Sequence, residues 1–161
     1  MKEPARILFV DDEQNVLHAV ERMLLDEDYV IATASSGKEG LDFLEKNEVH
    51  VVVSDYRMPE MTGVEFLRIV ARKWPDTVRI VLSGYSDTAA VVGAINEGGI
   101  YKYLSKPWND DELRITIANA ATLYFLQKRV GDLAGELQRK NEEIARLQEA
   151  LDHAGRQREG G

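Results

Sequence analysis

Five polar side chains stand where short apolar runs of the sequence end, which is where an open parallel sheet usually carries its chemistry. They are Asp11, Asp12, Asp55, Ser83 and Lys106. Three carboxylates favour a hard divalent cation such as Mg²⁺, whereas a hydroxyl and an amine favour phosphoryl oxygens. The set therefore predicts a site for a divalent metal and a phosphoryl group.

These residues can form one site only in a fold that brings the ends of the strands together. The alternation of apolar runs with amphipathic stretches along the sequence predicts such a fold. Predicted strands cover 6–10, 29–34, 49–54, 78–82 and 101–104, and predicted helices cover about 14–26, 37–47, 63–74, 88–97 and a stretch from residue 110 onward. This alternation predicts an α/β protein, a flavodoxin-like (βα)5 parallel five-stranded sheet of order 2-1-3-4-5. In that order strands 1 and 3 are neighbours, and strands 4 and 5 reach the same edge.

The fifth helix is predicted to continue far beyond the length that the domain needs. From Asp110 to about Arg156 there is no proline, and either Asn109 or Asp110 can cap the start. Apolar residues then recur at spacings of three and four, with Lys140 in one core position. The predicted seam consists of Leu123, Leu126, Val130, Leu133, Leu137, Ile144, Leu147 and Leu151. This pattern predicts a fifth helix that is extended into a dimeric coiled coil.

The organisation and the charge of the chain follow from these elements. The sequence predicts a first domain over 1–122, a coiled-coil helix over 123–157 that is continuous with helix 5, and a disordered tail over 158–161. The net charge is −8, and residues 126–159 carry seven basic and seven acidic side chains, so the negative charge lies in the first domain. An acidic domain beside a neutral helix predicts that this chain does not bind nucleic acid.

Other function classes are excluded by what the sequence lacks. There is no cysteine, which excludes disulfides and thiolate metal sites. No apolar run approaches the length of a membrane span, and residues 1–6 do not resemble a signal peptide. We therefore expect no membrane association and a cytoplasmic location.

In this order and context, the polar residues resemble the signature of the receiver domain of two-component response regulators. The resemblance rests on Val-Asp-Asp-Glu after strand 1, Met-Pro-x-Met-x-Gly after Asp55, Leu-Ser-Gly-Tyr after strand 4, and the segment 99–108 around Tyr103 and Lys106-Pro107. It covers residues 5–122. It implies a signalling module and not an enzyme, one that catalyses only its own phosphorylation and dephosphorylation.

The resemblance also implies the acceptor and the cofactor. Asp55 is the expected phosphoacceptor, which takes a phosphoryl group from a sensor histidine kinase or a phosphotransfer protein. The expected cofactor is Mg²⁺, with Asp12, Asp55 and the Arg57 backbone carbonyl as direct ligands and Asp11 acting partly through water. Phosphoryl transfer depends mainly on positioning and electrostatics, which explains the need for a cation beside the acceptor carboxylate.

Three further residues are the expected catalytic and switch residues. By resemblance Lys106 pairs with the acceptor carboxylate and then with a phosphoryl oxygen, and Ser83 donates a hydrogen bond to another oxygen. Tyr103 packs or swings according to whether Ser83 is recruited. We also expect Arg57 and Tyr85, each two residues after a site residue, to lean over the phosphoryl group and slow its hydrolysis.

Several alternatives remain open from the sequence. Taken singly, the Asp11-Asp12 pair fits a helix cap, Ser83 a turn hydroxyl, Lys106 a solvated side chain and Tyr103 simple packing. The seam leucines could pack within the domain. The chain could also be a stand-alone receiver that acts through protein contacts. An aspartate-nucleophile phosphatase needs a second acid two residues after the nucleophile, where this chain has Arg57. A flavodoxin needs a phosphate loop without the three acids that follow strand 1.

The coil sequence leaves its partner orientation and its output open. In a parallel register Glu136 faces Asn141 and Glu143 faces Gln148, and neither pair attracts or repels. The output domain that receives the signal could be a nucleotide-signalling enzyme, a phosphatase or a DNA-binding module, or there could be no output domain. Gly131, Gly135 and Lys140 weaken the seam, and from them we expect phosphorylation to change pairing between residues 126 and 144 while the sheet stays intact.

Overall fold

The computed structural model describes residues 3–96 and 99–160. Within these ranges the strands are β1 (Ala5–Val10), β2 (Tyr29–Ala34), β3 (Val51–Asp55), β4 (Val78–Ser83) and β5 (Lys102–Ser105). The helices are α1 (Gln14–Met23), α2 (Gly37–Lys46), α3 (Gly63–Lys73), α4 (Thr88–Asn96) and α5 (Asp110–Glu159). A short 3-10 turn, Tyr85–Asp87, precedes α4.

The five strands form one parallel sheet in the order β2-β1-β3-β4-β5, which confirms the predicted flavodoxin-like fold. Val10 pairs with Ser54 across β1 and β3, so the residues after β1 lie beside the end of β3. Asp55 pairs with Leu82, and β4 continues by one residue to Ser83. The carboxyl ends of β1, β3, β4 and β5 therefore meet at one edge of the sheet.

The core lies on both faces of this sheet, because alternate residues of each strand point to opposite sides. Ile7 and Phe9 of β1 belong to the cluster that α1 and α5 cover, whereas Leu8 and Val10 belong to the cluster that α2, α3 and α4 cover. All five residues of β3 are buried. A central strand that is covered on both faces reads as a continuous apolar run, as this one does.

Some element bounds differ from the predicted ones. Helix α1 ends at Met23 instead of residue 26, because the acidic run 26–28 would place three negative charges at the negative end of the helix dipole. Helix α5 includes Arg158 and Glu159, two residues of the predicted tail, because residues 156–159 are good helix formers. The predicted end of the fourth helix at residue 97 lies outside the described residues, as does Gly161.

Two compact units divide the chain, the first ending at Phe125 and the second beginning at Leu126. In the first unit Leu123 is half-buried against the core cluster that contains Leu113 and Ile117. The second unit is a helix whose apolar row stays exposed, from 51 % at Ile144 upward. Among the described residues, no helix has both the length and the apolar character that crossing a membrane requires.

A buried histidine packs against the last turn of α5 that belongs to the first unit. His50 directly precedes β3 and is fully buried, and its Nδ1 accepts a hydrogen bond from the Arg6 backbone N–H at 3.0 Å. Its ring stacks on Tyr124 with 4.4 Å between centroids and meets Phe125 edge to face. The Tyr124 hydroxyl donates to Glu48 at 3.1 Å. Burial and the Glu48 carboxylate raise the pKa of Tyr124 to about 12, so the hydroxyl keeps its proton.

Candidate functional site

Three carboxylates meet where β1 and β3 end. Asp11, Asp12 and Asp55 each offer an oxygen, and the three oxygens lie within 4.8 Å of one another. Asp11 and Asp55 are buried, whereas Asp12 is exposed. The backbone N–H of Glu13 donates to Asp11 Oδ1 at 2.9 Å and fixes that side chain. An all-oxygen donor set with this much negative charge fits a hard cation of the Mg²⁺ type.

Lys106 neutralises part of that charge. Its Nζ lies 2.8 Å from Asp11 Oδ2 and 3.1 Å from Asp55 Oδ1. A backbone hydrogen bond from Lys106 N to the Ser83 carbonyl extends the β4–β5 ladder by one residue and positions the side chain. Burial lowers the pKa of Lys106, but the hydrogen bonds and charges of Asp11 and Asp55 outweigh it, so the pKa is raised. The ammonium therefore bridges two carboxylates.

Asp55 is a buried carboxylate whose surroundings disfavour its ionised form. Burial and the neighbouring Asp11 charge raise its pKa, and Lys106 only partly offsets them. A cation bound beside the cluster, on the exposed side where Asp12 lies, would favour the ionised form of Asp55.

Ser83 and Tyr103 lie near this edge in different environments. Ser83 is buried, and its hydroxyl donates to the Gly84 carbonyl at 3.1 Å. Tyr103 is half-buried and packs against the cluster that contains Val81. The structure thus brings Asp11, Asp55 and Lys106 into direct contact, and it places Ser83 one residue beyond the strand partner of Asp55.

The loop after Asp55 depends on a glycine. The Gly63 N–H donates to the Tyr56 carbonyl at 2.7 Å, and Thr62 and Glu65 form a reciprocal capping box at the start of α3. A methyl group on Gly63 would overlap the Asp55 carbonyl oxygen. This close approach gives the glycine of Met-Pro-x-Met-x-Gly its physical reason.

We expect Gly63→Ala to destabilise the fold by about 1–3 kcal/mol, because the added methyl must displace the backbone at the end of β3. Phosphoryl uptake should fall in the folded fraction as well. Urea unfolding and the yield of a phosphoryl adduct measure the two effects. Gly93→Ala is the matched control, since no atom lies within 4 Å of its Cβ position and alanine favours the helix by up to about 1 kcal/mol. Equal stabilities of the two variants would contradict the clash.

Arg57 and Asp87 form an ion pair that the sequence did not reveal. Arg57 Nε lies 2.8 Å from Asp87 Oδ2, and Nη2 lies 2.9 Å from Oδ1. The Arg57 side chain is 72 % exposed and that of Asp87 only 8 %. The hydrogen bond from Arg57 lowers the pKa of Asp87. The only hint of this ion pair in the sequence is that an acidic residue, Asp87, lies four positions after Ser83. The side chain of Tyr85, which we expected to lean over the phosphoryl group, lies outside the described residues.

A second cluster, Glu3, Glu48 and His50, also brings three potential metal ligands together. Its histidine has the wrong tautomer for that role. Because His50 Nδ1 accepts the Arg6 N–H, the ring proton of the neutral imidazole is on Nε2, which lies 3.4 Å from Glu48 Oε1. No lone pair is then directed at the two glutamates, so the carboxylates at the ends of β1 and β3 remain the better metal site.

The comparisons with known proteins agree with this site. Residues 7–118 match the family model of the response regulator receiver domain. The chain is 40 % identical over 156 residues to the hydrogenase transcriptional regulatory protein HoxA of Cupriavidus necator, covering 92 % of this chain and 32 % of that protein. The HoxA of Bradyrhizobium diazoefficiens is 42 % identical over 122 residues, covering 76 % of this chain and 25 % of that protein.

A solved structure adds to this result. A response regulator receiver domain protein from Clostridium thermocellum superposes with a TM-score of 0.72 at 35 % identity, over 76 % of this chain and 98 % of that one. The chain belongs to the receiver-domain family of two-component response regulators. It is a signalling module that spans about a third or less of the length of the two HoxA relatives.

Proposed function

We propose that this chain is a phosphorylation-controlled switch whose acceptor is Asp55. The observation that carries the proposal is the contact of Lys106 with both Asp11 and Asp55 at the edge where three carboxylates meet. The donor is a sensor histidine kinase or a phosphotransfer protein. Its phosphohistidine P–N bond breaks as an Asp55 carboxylate oxygen forms the new P–O bond, and the imidazole keeps the electron pair and later takes a proton.

Each residue at the site has a separate role in this phosphoryl transfer. Asp12, Asp55 and the Arg57 carbonyl would hold Mg²⁺ directly, and Asp11 would act partly through water. When bound, the cation neutralises the anions that meet during transfer. Lys106 exchanges its contact with Asp55 for a phosphoryl oxygen. Two further residues complete the switch: the Ser83 hydroxyl turns from the Gly84 carbonyl to another phosphoryl oxygen, and Tyr103 follows it.

Phosphorylation should require the divalent cation. With acetyl phosphate as donor, we expect intact-mass spectrometry to show one added phosphoryl group in the presence of Mg²⁺ and almost none with excess chelator, because three carboxylates otherwise repel the anionic donor. NaCl at the same ionic strength, added to the chelated sample, is the control for ionic strength. Equal adduct yields with Mg²⁺ and with chelator would contradict the proposed role of the cluster.

The second unit supports a dimer as the form in which the switch acts. Leu133, Leu137 and Leu147 are each more than half exposed in the single chain, and they lie in one row with the other seam residues. An apolar row of this length, with Lys140 in one core position, is unfavourable in water and is buried when two such helices pair. A parallel homodimer would carry two identical output domains side by side.

The output and the location are further parts of the proposal. Because the HoxA relatives are named transcriptional regulators and are about three times as long, we infer that the coiled coil passes the signal to a transcription-regulating output domain outside this chain. This chain itself then has no need to bind nucleic acid. A cytoplasmic location fits a partner kinase that donates its phosphoryl group there.

A further inference from the structure

The ion pair between Arg57 and Asp87 joins two loops that flank the acceptor. Arg57 follows Asp55 by two residues, and Asp87 follows Ser83 by four and immediately precedes α4. Three hydrogen bonds of 2.8 to 3.1 Å connect the guanidinium to the carboxylate. The pair also lines a shallow pocket of about 490 Å³ with the loop 56–62. The guanidinium is thus tethered to the turn that follows β4 and has open space beside it.

The charge of the site changes on phosphorylation in a way that favours a guanidinium. The three carboxylates, the Lys106 ammonium and one divalent cation balance each other. A phosphoryl group replaces the single negative charge of the acceptor by about −1.5 to −2. The phosphorylated site is therefore short of positive charge. Arg57 carries a cation on the acceptor's own loop, and its 72 % exposure means that little packing is lost if it turns.

We propose that Arg57 and Asp87 form a latch, and that the phosphoryl group on Asp55 competes with Asp87 for the Arg57 guanidinium. This assignment rests on the proposed function of Asp55. In the unphosphorylated chain Asp87 holds Arg57. In the phosphorylated chain Arg57 binds a phosphoryl oxygen and shields the phosphorus atom from water. Asp87 is a positioning residue. The more strongly it holds Arg57, the smaller the fraction of time in which Arg57 can shield the phosphoryl group, and the shorter the lifetime of the acyl phosphate.

The exchange has a consequence for α4. Asp87 is almost fully buried, and a buried carboxylate that loses its partner is costly. When Arg57 leaves, water from the shallow pocket that Asp87 lines can take the place of the guanidinium. The exchange thus leaves a hydrated carboxylate directly before α4, which begins at Thr88.

The test measures the decay of the acyl phosphate in the full chain after the donor is removed, in Mg²⁺. We expect Asp87→Asn to lengthen the lifetime about two- to fivefold, the range of a partly exposed ion pair. The conservative variant Asp87→Glu should restore the wild-type lifetime. In an Arg57→Ala background, Asp87→Asn should have no effect, which a merely structural role of Asp87 would not produce. Asp42→Asn, an exposed acid on α2, is the matched control.

The outcomes separate the latch from the function on which it rests. A wild-type adduct with equal lifetimes in wild type and Asp87→Asn would overturn the latch and leave the acceptor role of Asp55 intact. An effect of Asp87→Asn that persists without Arg57 would also overturn it. If the wild-type chain forms no adduct at all, the proposed function fails and the latch fails with it.

Discussion

We expect Asp55→Asn to abolish the phosphoryl adduct, which is the first of the two largest expected effects. The amide has nearly the shape of the carboxylate but lacks the nucleophilic oxygen anion, so acetyl phosphate and Mg²⁺ should add nothing to its mass. The fold should survive, because the substitution removes one charge from a site where Asp11 and Asp12 repel it. Intact-mass spectrometry and urea unfolding of the same sample test both statements.

The control for this experiment is Asp42→Asn, which makes the same chemical change on the exposed surface of α2. It should take up phosphoryl groups as well as the wild type does. An adduct of equal yield in Asp55→Asn would mean that another residue is the acceptor. Peptide mapping of that adduct would then identify it.

We expect Leu133→Glu to dissociate the proposed coiled-coil dimer, which is the second of these effects. Leu133 occupies a core position of the predicted seam, and losing a buried leucine costs about 2–5 kcal/mol before the burial of a charge is added. Two chains contribute the same substitution to one layer of the coil. Light scattering at tens of micromolar should give twice the 18.2 kDa chain mass for the wild type and the single mass for the variant.

Gln138→Glu is the matched control, because it introduces the same glutamate side chain at an outer position of the helix. There the Gln138 side chain donates a hydrogen bond to Glu142, four residues further along the same helix. It should remain dimeric. A wild-type chain that is monomeric under these conditions would refute the coiled coil. Dissociation of both variants would instead show that the net charge of the helix, and not its seam, controls pairing.

The fold was predictable because its central strands are buried on both faces. Residues 51–54 read as an apolar run, and five such runs that alternate with amphipathic stretches leave few topologies. The juxtaposition of Asp11, Asp55 and Lys106 followed from the strand order alone. The resemblance placed Lys106 on Asp55, but the structure brings its ammonium slightly closer to Asp11. Which of the two carboxylates lies closer to the Lys106 ammonium depends on side-chain positions that differ by tenths of an ångström, and the sequence does not determine these.

The ion pair of Arg57 with Asp87 was not predictable in the same way. It joins residues 30 positions apart, Arg57 in a loop and Asp87 in the short 3-10 turn before α4, where neither strand periodicity nor α-helix periodicity fixes a direction. The end of α1 was missed for a related reason: an apolar pattern that continues through Leu24 and Leu25 does not show where acidic residues stop the helix. The heptad pattern did predict that α5 is long, since helix propensity and spacing are local properties.

The contacts of His50 decide how the part of α5 that lies in the first unit can move. That part is fixed near its start, where Leu113 is fully buried in the core and Arg114 Nη2 donates to the Met23 carbonyl at 3.5 Å. It is fixed again at Tyr124, which stacks on the residue that precedes the acceptor strand. Because this part of α5 is held at both of these points, we expect any shift of the helix within the first unit to be a rotation about its axis or a slide along it, and not a tilt.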